Sequence, residues 1–275
     1  MSNTIKADIC VIGGGSGGLS VAAGAAQLGK NVVLLEGGKM GGDCLNYGCV
    51  PSKALIAAGN AAQKFRSPEK FGVTPQKPDI NYEKVHDHIH SVIAEIEPHD
   101  SVERFEGLGV NVIQRYGEFE DSNTVRAGDT LIKAKRFIIA TSPSVPPLPN
   151  IDKVPYLTNE SIFDLKETPK HLIVIGGGPI GLELAQSYKR LGSDVTVIAL
   201  GFLENEDPEL KDILLKSLKK EGINFKENAA IKDILQNEKG ININLETEVI
   251  TGSHLLIATG RKPNIEKLNL ERANV

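Results

Sequence analysis

Apolar positions along the 275-residue chain repeat a strand, helix, strand pattern twice. In the first copy, an apolar run at 8–12 is followed by a glycine-rich segment, an alanine-rich stretch to Leu28 and a second apolar run at 32–36. In the second copy, apolar runs at 171–175 and 195–199 flank another glycine-rich segment and a predicted helix. Short apolar runs bounded by glycine and joined by a helix are typical of parallel strands. We therefore predict an α/β fold with two β-α-β units.

Each copy carries glycines spaced as G-x-G-x-x-G where its first strand meets its helix. Gly13, Gly15 and Gly18 form the first set, and an offset of 163 residues relates the copies, with eleven identities in twenty-six positions. The first glycine makes a tight turn, the second lets backbone amides approach a pyrophosphate, and the third lets helix and strand pack closely. Glu36, at the end of the second strand, is placed to accept a hydrogen bond from a ribose. The pattern favours two dinucleotide sites, although glycine-rich turns also occur in other α/β proteins.

The remaining pattern predicts further helices and strands. A helix is expected from about 43 to 65, and a long amphipathic helix from 82 to 105. Four strand-like runs follow, at 110–116, 124–126, 131–133 and 137–139. The prolines of 142–149 exclude a helix or a central strand, so this segment is the predicted linker. A helix at 208–222, hairpin-like runs and an apolar run at 255–260 follow the second copy.

The composition is that of a folded protein with little net charge. Hydrophobic residues make up 40% and charged residues 24% of the chain, which excludes the disordered, collagen-like and coiled-coil classes. A net charge of −4 gives no long-range attraction to nucleic acid or anionic lipid. No apolar run reaches the roughly 18 residues of a membrane span, and the first run is too short for a signal peptide. We expect a cytoplasmic protein that binds neither nucleic acid nor membrane.

Two of the three cysteines, Cys44 and Cys49, lie close together just after the first β-α-β unit. Their spacing puts them about one helical turn apart, which allows a disulfide if the turn is irregular, and Gly48 and Pro51 favour that irregularity. Near a helix start the dipole stabilises a thiolate, so we predict a thiol pKa below the free value of about 8.5. In a reducing compartment such a pair is typical of catalysis. Half of a zinc site and two unrelated thiols are the alternatives.

Three other groups of residues have simple structural explanations. His86 and His90 would share one face of a helix while His88 points elsewhere, so we expect an exposed helix rather than a metal site. The acidic residues between 95 and 106 are expected on the exposed side of the same helix. Cys10 lies within the first strand, where a thiol behaves as a small apolar residue, and we assign it no function.

The segment from Gly41 to Lys53, GGDCLNYGCVPSK, resembles the redox-active signature of the flavin-dependent pyridine nucleotide-disulfide oxidoreductases of class I. Within that family the similarity points to the dihydrolipoamide dehydrogenases and mercuric reductases, and it covers almost the whole chain. Asp43 stands where threonine is common in the family. The resemblance implies a fold of two Rossmann-like dinucleotide-binding domains of the three-layer ββα type, the second inserted in the first.

The resemblance also implies cofactors and residue roles. The first repeat would bind FAD and the second NAD(H) or NADP(H). Cys44 would attack the disulfide substrate, Cys49 would receive electrons from the flavin, and Lys53 would lie near the flavin ring, paired with Glu183. The implied cofactor-binding residues are Gly13, Gly15, Ser16, Gly17, Gly18, Glu36, Gly42, Asp43, Lys53, Ala140, Thr141, Gly176, Gly178, Pro179, Ile180, Gly181, Ala199 and Gly260. No metal ligand is implied.

By the same resemblance, residues 1–149 would form the FAD-binding domain with the cysteine pair. Residues 150–260 would form the NAD(P)-binding domain, and 261–275 would begin the return to the FAD domain. The implied activity passes electrons between NAD(P)H, FAD and a Cys44–Cys49 dithiol or disulfide, as in a dihydrolipoamide dehydrogenase with a small or lipoyl-type substrate. A mercuric reductase-like enzyme and a truncated nucleotide-binding module without turnover are the alternatives.

Three features depart from the family pattern. Ala199 stands where a carboxylate would hold the ribose of NAD, yet residues 200–210 contain no arginine for a 2′-phosphate. The choice between NAD and NADP is therefore open, and NADH is the preferred hypothesis. Ser142 replaces the glycine usual after Thr141, whereas Gly260 is retained. The chain stops before the family's C-terminal dimerisation domain and its acid-base histidine. We therefore expect a fragment of a homodimeric enzyme, with weak FAD retention and no efficient disulfide turnover by this chain alone.

Overall fold

The computed structural model describes residues 3–146, 148 and 151–275. Pro147 and Pro149 of the predicted linker, and the predicted domain boundary at 149/150, lie outside the described residues. The chain divides into two compact units, each with sheets of its own. Unit 1 comprises Met1–Val50, Ser91–Ser144 and Lys262–Val275, and unit 2 comprises Pro51–His90 and Val145–Arg261.

Both predicted β-α-β units are present. In the first half of the chain the helices and strands are β1 Asn3–Ile12, α1 Ser16–Gln27, β2 Val32–Leu35, α2 Gly42–Asn46, α3 Cys49–Arg66, α4 Tyr82–Ile96, α5 Val102–Gly107, β3 Val110–Ile113, β4 Glu118–Asp121, β5 Thr124–Ala127, β6 Thr130–Ile139 and β7 Pro143–Ser144. In the second half they are β8 His171–Ile175, α6 Pro179–Arg190, β9 Asp194–Ile198, α7 Pro208–Lys220, β10 Asn224–Lys226, β11 Ile231–Asn237, β12 Gly240–Leu245, β13 Val249–Gly252, β14 His254–Ile257 and β15 Lys262–Pro263.

Unit 1 is built on a six-stranded sheet with the order β3-β2-β1-β6-β5-β4. Strand β1 runs parallel to β2 and β6, and β4, β5 and β6 are antiparallel neighbours. Side chains alternate across the central strand, so that Val11 packs with Leu19 of α1 and Phe105 of α5, whereas Cys10 packs with Phe119 of β4. Apolar burial on both faces of β1 thus produces a layer of helices, a parallel sheet and a layer of antiparallel strands.

Unit 2 has the same plan around a parallel sheet with the order β10-β9-β8-β14. Leu182 and Tyr188 of α6 are buried beside this sheet, and the three-stranded antiparallel sheet β11-β12-β13 supplies Ile243 to a core shared with Ile173 and Leu255. The predicted α/β class with two Rossmann-like folds is confirmed. In the described part of the chain, no helix combines the length and the apolarity needed to cross a bilayer.

Two predicted helices are interrupted. The helix expected at 43–65 is divided into α2 and α3, with Tyr47 and Gly48 between them. The helix expected at 82–105 ends with α4, and a 3₁₀ turn and the separate helix α5 follow. Pro98 explains the second break, because proline lacks the amide hydrogen and its ring clashes with the preceding turn of an α-helix.

The strands also differ from the prediction in two places. The runs at 131–133 and 137–139 form one continuous strand, β6, because Ala134 and Arg136 between them are paired with β1. Strand β4 was not predicted, since three of its four residues are acidic and resemble a turn. Its single apolar residue, Phe119, is buried and accounts for the strand.

Helix α3 from Pro51 onward and helix α4 as far as His90 belong to unit 2, whereas the predicted FAD-binding domain spans 1–149 throughout. Helix α3 approaches α6 so closely that a Cβ on Gly59 would lie 3.4 Å from Ser187 Cα. The hydroxyl of Tyr82 on α4 donates a hydrogen bond of 2.8 Å to the hydroxyl of Tyr188 on α6. These contacts explain the grouping, and the nucleotide-binding boundaries themselves stay predictions.

Candidate functional site

The first glycine turn is closely packed at Gly13 and Gly18 and open at Gly17. Gly13 has a φ of +114°, and a Cβ at that position would overlap the carbonyl oxygen of Ala140. A Cβ on Gly18 would overlap the carbonyl oxygen of Gly13, whereas a Cβ on Gly17 would meet nothing within 4 Å. Glycine is therefore required where helix and strand meet. Its use at Gly17 leaves open space where a pyrophosphate would approach.

The helices that follow the two glycine turns lack side-chain caps. Gly15 precedes α1 and Gly178 precedes α6, neither cap makes a side-chain hydrogen bond, and neither helix has an acidic residue in its first turn. By contrast, Asp207 accepts hydrogen bonds from first-turn amides of α7. The first amides of a helix have no intrahelical acceptor, and a bound anion satisfies them. The first turns of α1 and α6, which include Ser16 and Ile180, thus fit a phosphate group.

Glu36 is held at the first turn by backbone amides. Its carboxylate accepts a hydrogen bond of 2.6 Å from the amide of Gly14 and another of 2.6 Å from the amide of Gly38. An ionised carboxylate has about four acceptor positions, so two of these hydrogen bonds leave capacity for a ribose hydroxyl. The structure therefore places the predicted ribose-binding residue beside the predicted pyrophosphate-binding turn.

The second glycine turn reproduces the first in space. Gly176 has a φ of +126°, and a Cβ on Gly181 would lie 2.5 Å from its carbonyl oxygen. The Cβ of Ala199 lies 3.0 Å from the Cβ position of Gly177, the same distance that separates Glu36 Cβ from the equivalent position of the first turn. The 163-residue repeat is thus a repeat of backbone geometry. The position that carries the carboxylate of Glu36 in the first copy is Ala199 in the second.

A cleft of about 360 Å³ lies over the second turn, at the carboxyl ends of β8, β9 and β14. Ligands of open α/β sheets bind at this end of the strands. Of the predicted residues, the cleft is lined by Gly178, Pro179, Ile180 and Gly260. It is also lined by residues that the prediction did not include, among them Gly177, Leu203, Glu204, Glu206 and Arg261.

The segment carrying the cysteines is attached to the first glycine turn. The amide of Gly41 donates a hydrogen bond of 2.9 Å to the carbonyl oxygen of Gly14. Gly41 and Gly42 have φ values of +82° and +56°, and a Cβ on Gly42 would lie only 2.6 Å from Gly15 Cα. Two glycines in the left-handed region therefore bring α2, which contains Cys44, directly against the turn that fits a pyrophosphate.

The two cysteines meet across the break between α2 and α3. Cys44 is partly buried in α2, Cys49 is exposed at the first position of α3, and the two thiols form no disulfide with each other but are close enough to share a hydrogen bond. Gly48 makes this approach feasible, because a Cβ there would lie 2.9 Å from a carboxylate oxygen of Asp43. The irregular turn expected from the sequence is present. It brings the thiols together.

The predicted low pKa of the cysteine pair is wrong for Cys44. Burial raises the pKa of this thiol to about 11, and the hydrogen bond with Cys49, the charge of Cys49 and the carboxylates of Asp100 and Asp43 raise it further in that order. Helix α2 has only five residues, so its dipole is small compared with these opposing effects. At neutral pH the Cys44 thiol of the dithiol form is therefore protonated.

Asp100 is a site residue that the sequence analysis assigned to an exposed helix face. It ends the 3₁₀ turn after α4, is partly buried, and places Oδ2 3.1 Å from the Cβ position of Gly41. The neighbouring acidic residues Glu97 and Glu103 are exposed as expected. Pro98 signals the break that frees Asp100 from the helix, but its position beside the cysteine segment depends on the tertiary fold.

Replacing Asp100 with asparagine is expected to lower the pKa of the Cys44 thiol. The variant removes one negative charge near the thiolate, and the shift should be below about one unit because Asp100 is a secondary cause. The rate at which Cys44 is alkylated in the reduced protein, followed against pH by mass spectrometry, should then rise at lower pH. Glu106→Gln removes an exposed carboxylate from α5 and should leave the profile unchanged. An unchanged profile for Asp100→Asn would contradict the assignment.

Unit 2 contains the lysine and glutamate pair that the resemblance implies. Lys53 Nζ donates a hydrogen bond of 2.9 Å to Glu183 Oε2, with 62% and 46% of the two side chains exposed. Lys53 lies one turn after Cys49 on α3. Exposed pairs of this kind stabilise a fold by less than about 1 kcal/mol. The position of Lys53 on the same helix as Cys49 therefore matters more than the contribution of the ion pair to stability. The role of Lys53 near a flavin stays a prediction.

Ser142 places a hydroxyl between the two glycine segments of unit 1. Its Oγ lies 3.7 Å from the Cβ position of Gly15 and 3.5 Å from that of Gly42. The preceding residues Ala140 and Thr141 continue from β6, and the amide of Ala140 donates to the carbonyl oxygen of Ile12 at 2.8 Å. A hydroxyl thus stands where the family usually has no side chain, beside the predicted FAD turn.

The histidines of α4 share a face, as predicted, but that face is partly buried. The ring centroids of His86 and His90 are 4.3 Å apart, and only 16% of the His86 side chain is exposed. His90 Nε2 lies 3.6 Å from Asp164 Oδ1. Throughout the ranges that the structure describes, no three histidine, cysteine or acidic side chains are grouped as metal ligands.

Comparison with known proteins identifies the family. Residues 7–275 match the family described as pyridine nucleotide-disulphide oxidoreductase. The chain belongs to this family. The predicted resemblance is thereby confirmed, and FAD and a pyridine nucleotide are the cofactors of the pyridine nucleotide-disulphide oxidoreductases. The glycine turns and the uncapped helix amides supply hydrogen-bond donors and Glu36 supplies an acceptor, and this set of groups fits these two dinucleotides.

Several members of the family are similar over nearly the whole chain. The chain is 34% identical to a mercuric reductase of Lysinibacillus sphaericus and 35% identical to a dihydrolipoyl dehydrogenase of Geobacillus stearothermophilus, covering 98% of itself in each case. Among solved structures, the HOCl-induced flavoprotein disulfide reductase RclA from Escherichia coli matches with a TM-score of 0.84 and 27% identity. The chain spans 50%, 60% and 60% of the lengths of these three proteins.

Proposed function

We propose that this pyridine nucleotide-disulphide oxidoreductase passes electrons from NAD(P)H through FAD to the Cys44–Cys49 pair, and from that pair to a small disulfide. The observation that carries the proposal is the attachment of α2 to the first glycine turn. Gly41 and Gly42 fix the cysteine segment against the turn that fits the pyrophosphate of FAD. A dithiol anchored to a flavin site is suited to electron exchange with the flavin.

The residues of unit 1 would hold FAD through its phosphates and ribose. The amides of Ser16 and Gly17 at the start of α1 would bind the pyrophosphate, and Glu36 would accept from a ribose hydroxyl. When bound, FAD supplies the step between two-electron hydride transfer and thiol chemistry. Gly41 and Gly42 keep the cysteine segment at this site, and Asp43 follows them at the start of α2.

The thiol chemistry proceeds by exchange. Reduction of the Cys44–Cys49 disulfide takes two electrons and two protons and yields two thiols. Cys44, as thiolate, then attacks a sulfur of the substrate disulfide, forms a mixed disulfide and releases one substrate thiol. Cys49 attacks the Cys44 sulfur, releases the second substrate thiol and restores the internal disulfide. In the reverse direction the same steps oxidise a dithiol.

Because the pKa of Cys44 is raised, the rate of the exchange should increase as the pH rises. Since the thiol is protonated well below pH 11, the nucleophilic thiolate is scarce at neutral pH and increases as the pH rises. A base that takes the Cys44 proton would therefore accelerate the attack on substrate. The family resemblance assigns that role to a histidine of a C-terminal domain.

Further parts of the proposal concern substrate, assembly and location. The similarity to dihydrolipoyl dehydrogenases supports a lipoyl-type dithiol or disulfide as the substrate. A homodimer of the whole protein, which the family resemblance implies, stays a prediction. A cytoplasmic location is consistent with the chemistry, because a reducing compartment keeps such a cysteine pair exchangeable.

Thiol counting during the first half-reaction tests the proposal. The oxidised protein, supplied with excess FAD and reduced anaerobically by NADH or NADPH, is expected to gain two thiols that react with a chromogenic disulfide reagent. A variant with both Cys44→Ser and Cys49→Ser should still bleach the flavin but gain none. Cys10 is fully buried and should not react in the native state. Bleaching of the flavin in the unaltered protein without new thiols would disprove the relay.

A further inference from the structure

The second glycine turn has the backbone of a dinucleotide site without the carboxylate that normally selects the ribose. Ala199 is 8% exposed, and its Cβ lies against Gly177 as Glu36 Cβ lies against Gly14. An alanine methyl group cannot accept a hydrogen bond. If the turn binds a pyridine nucleotide, the acceptor for the adenosine ribose must therefore come from another residue.

The loop after β9 is fixed onto this turn. The amide of Leu203 donates a hydrogen bond of 3.1 Å to the carbonyl oxygen of Gly177. Leu203 is buried and has a φ of +47°, a left-handed conformation that is uncommon for a residue with a branched side chain. The ring of the preceding Phe202 packs edge-on against Phe225, with centroids 5.1 Å apart. The loop thus has a defined position over the second turn.

This loop presents a carboxylate to the cleft. Glu204 lies against Gly201 and lines the cleft together with Gly177 and Gly178. Glu206 lines the same cleft. Both acidic residues follow β9, which is the strand whose end normally carries the ribose-binding residue. A carboxylate is therefore available five residues after Ala199, on a loop that is held to the same turn.

The positively charged residue that lines the cleft, Arg261, lies on the opposite side of β8 from the loop that carries Glu204. The strand order β10-β9-β8-β14 places the residues after β9 and the residues after β14 on opposite sides of β8. Arg261, which also lines the cleft, follows β14. It therefore follows the strand on the opposite side of β8 from Glu204 and Glu206, and we expect it not to neutralise a 2′-phosphate beside those two residues.

We propose that Glu204 accepts the hydrogen bond of the adenosine 2′-hydroxyl and, with Glu206, repels a 2′-phosphate, so that this chain binds NADH in preference to NADPH. The inference rests on the proposed function, because it requires a pyridine nucleotide at the second turn. Two carboxylates beside a phosphate that carries nearly two negative charges create a like-charge contact, and specificity between related ligands arises readily from such repulsion.

Calorimetric titration of the protein with ADP-ribose and with its 2′-phosphate tests the inference without any redox step. These probes carry the adenosine halves of NADH and NADPH. We expect the affinity for ADP-ribose to exceed that for its 2′-phosphate by about tenfold or more, which is the usual effect of a charge-assisted hydrogen bond. Glu204→Gln should reduce this preference several-fold, and Glu204→Arg should reverse it. Glu238→Gln, which removes an exposed charge from the turn between β11 and β12, should keep the preference of the unaltered protein.

The outcomes separate the inference from the proposed function. If neither probe and neither dinucleotide binds, the second turn is not a nucleotide site and both proposals fail. If both probes bind but Glu204→Gln and Glu204→Arg leave their ratio unchanged, the inference is wrong while the nucleotide site stands. Tighter binding of the 2′-phosphate by the unaltered protein would likewise overturn the inference alone. Circular dichroism spectra of the variants should match that of the unaltered protein, because Glu204 is exposed.

Discussion

Replacing either Cys44 or Cys49 with serine is expected to abolish electron transfer to disulfides while leaving reduction of the flavin by NADH intact. Neither variant can form the internal disulfide, so neither can store two electrons by converting that disulfide into two thiols. Loss of an essential nucleophile commonly lowers a rate by about a thousandfold or more, and we expect at least that loss here. The two thiols share a hydrogen bond and act as one unit, so the effects of the single variants should not add.

Single-turnover mixing measures this effect. Protein supplied with excess FAD is reduced with NADH and mixed with oxidised lipoamide, while flavin absorbance and lipoamide thiols are followed separately. Cys10→Ala provides the matched control, because Cys10 lies buried in β1 and belongs to the hydrophobic core. It should transfer electrons at the rate of the unaltered protein, even if its stability is lower. Transfer by Cys44→Ser or Cys49→Ser at more than a small fraction of that rate would contradict the assigned roles.

Gly13→Ala is expected to destabilise unit 1 by about 3 kcal/mol or more. The new Cβ would overlap the carbonyl oxygen of Ala140, and a φ of +114° is strained for any residue with a side chain. Relief of the overlap would move β1 away from β6, which it pairs along most of its length. The free energy of unfolding in urea, followed by circular dichroism, should fall, and FAD affinity should fall with it.

Gly24→Ala supplies a control for which the expected change in the free energy of unfolding has the opposite sign. Gly24 lies in the middle of α1, and a Cβ there would meet nothing within 4 Å. Alanine in a helix interior is favoured over glycine by about 0.5–1 kcal/mol, so this variant should be more stable than the unaltered protein. Equal urea midpoints for Gly13→Ala and Gly24→Ala would show that the first glycine turn is less tight than described.

The parts of the fold that the sequence predicted well are those where pattern and packing agree. The apolar strands on either side of each glycine turn are buried on both faces, so a continuous apolar run was a sufficient signal for them. Helix boundaries were predicted poorly where a single residue overrides a periodic pattern. Pro98 and Gly48 each ended a helix that the apolar spacing continued.

The features of the site that escaped the sequence depend on contacts between distant segments. The dipole of a helix suggested a reactive Cys44 with a lowered pKa, but burial and the carboxylate of Asp100 contribute to raising that pKa instead. Neither effect can be read from the residues next to the cysteine. Glu204 escaped for a related reason, since only the hydrogen bond from Leu203 to Gly177 shows that its loop covers the second turn.

The matching geometry of the two glycine turns has a consequence for how cofactor preference can change in such a chain. In both turns, the glycines where helix and strand meet tolerate no Cβ, and the proposed pyrophosphate contacts are made by main-chain amides, so this part of each site offers little freedom to mutation. Under the proposed assignment, discrimination between adenosine halves would depend on single side chains after the second strand of each copy, where the two copies differ. Affinity and selectivity would then be encoded at separate positions, and point substitutions could change one while the other is preserved.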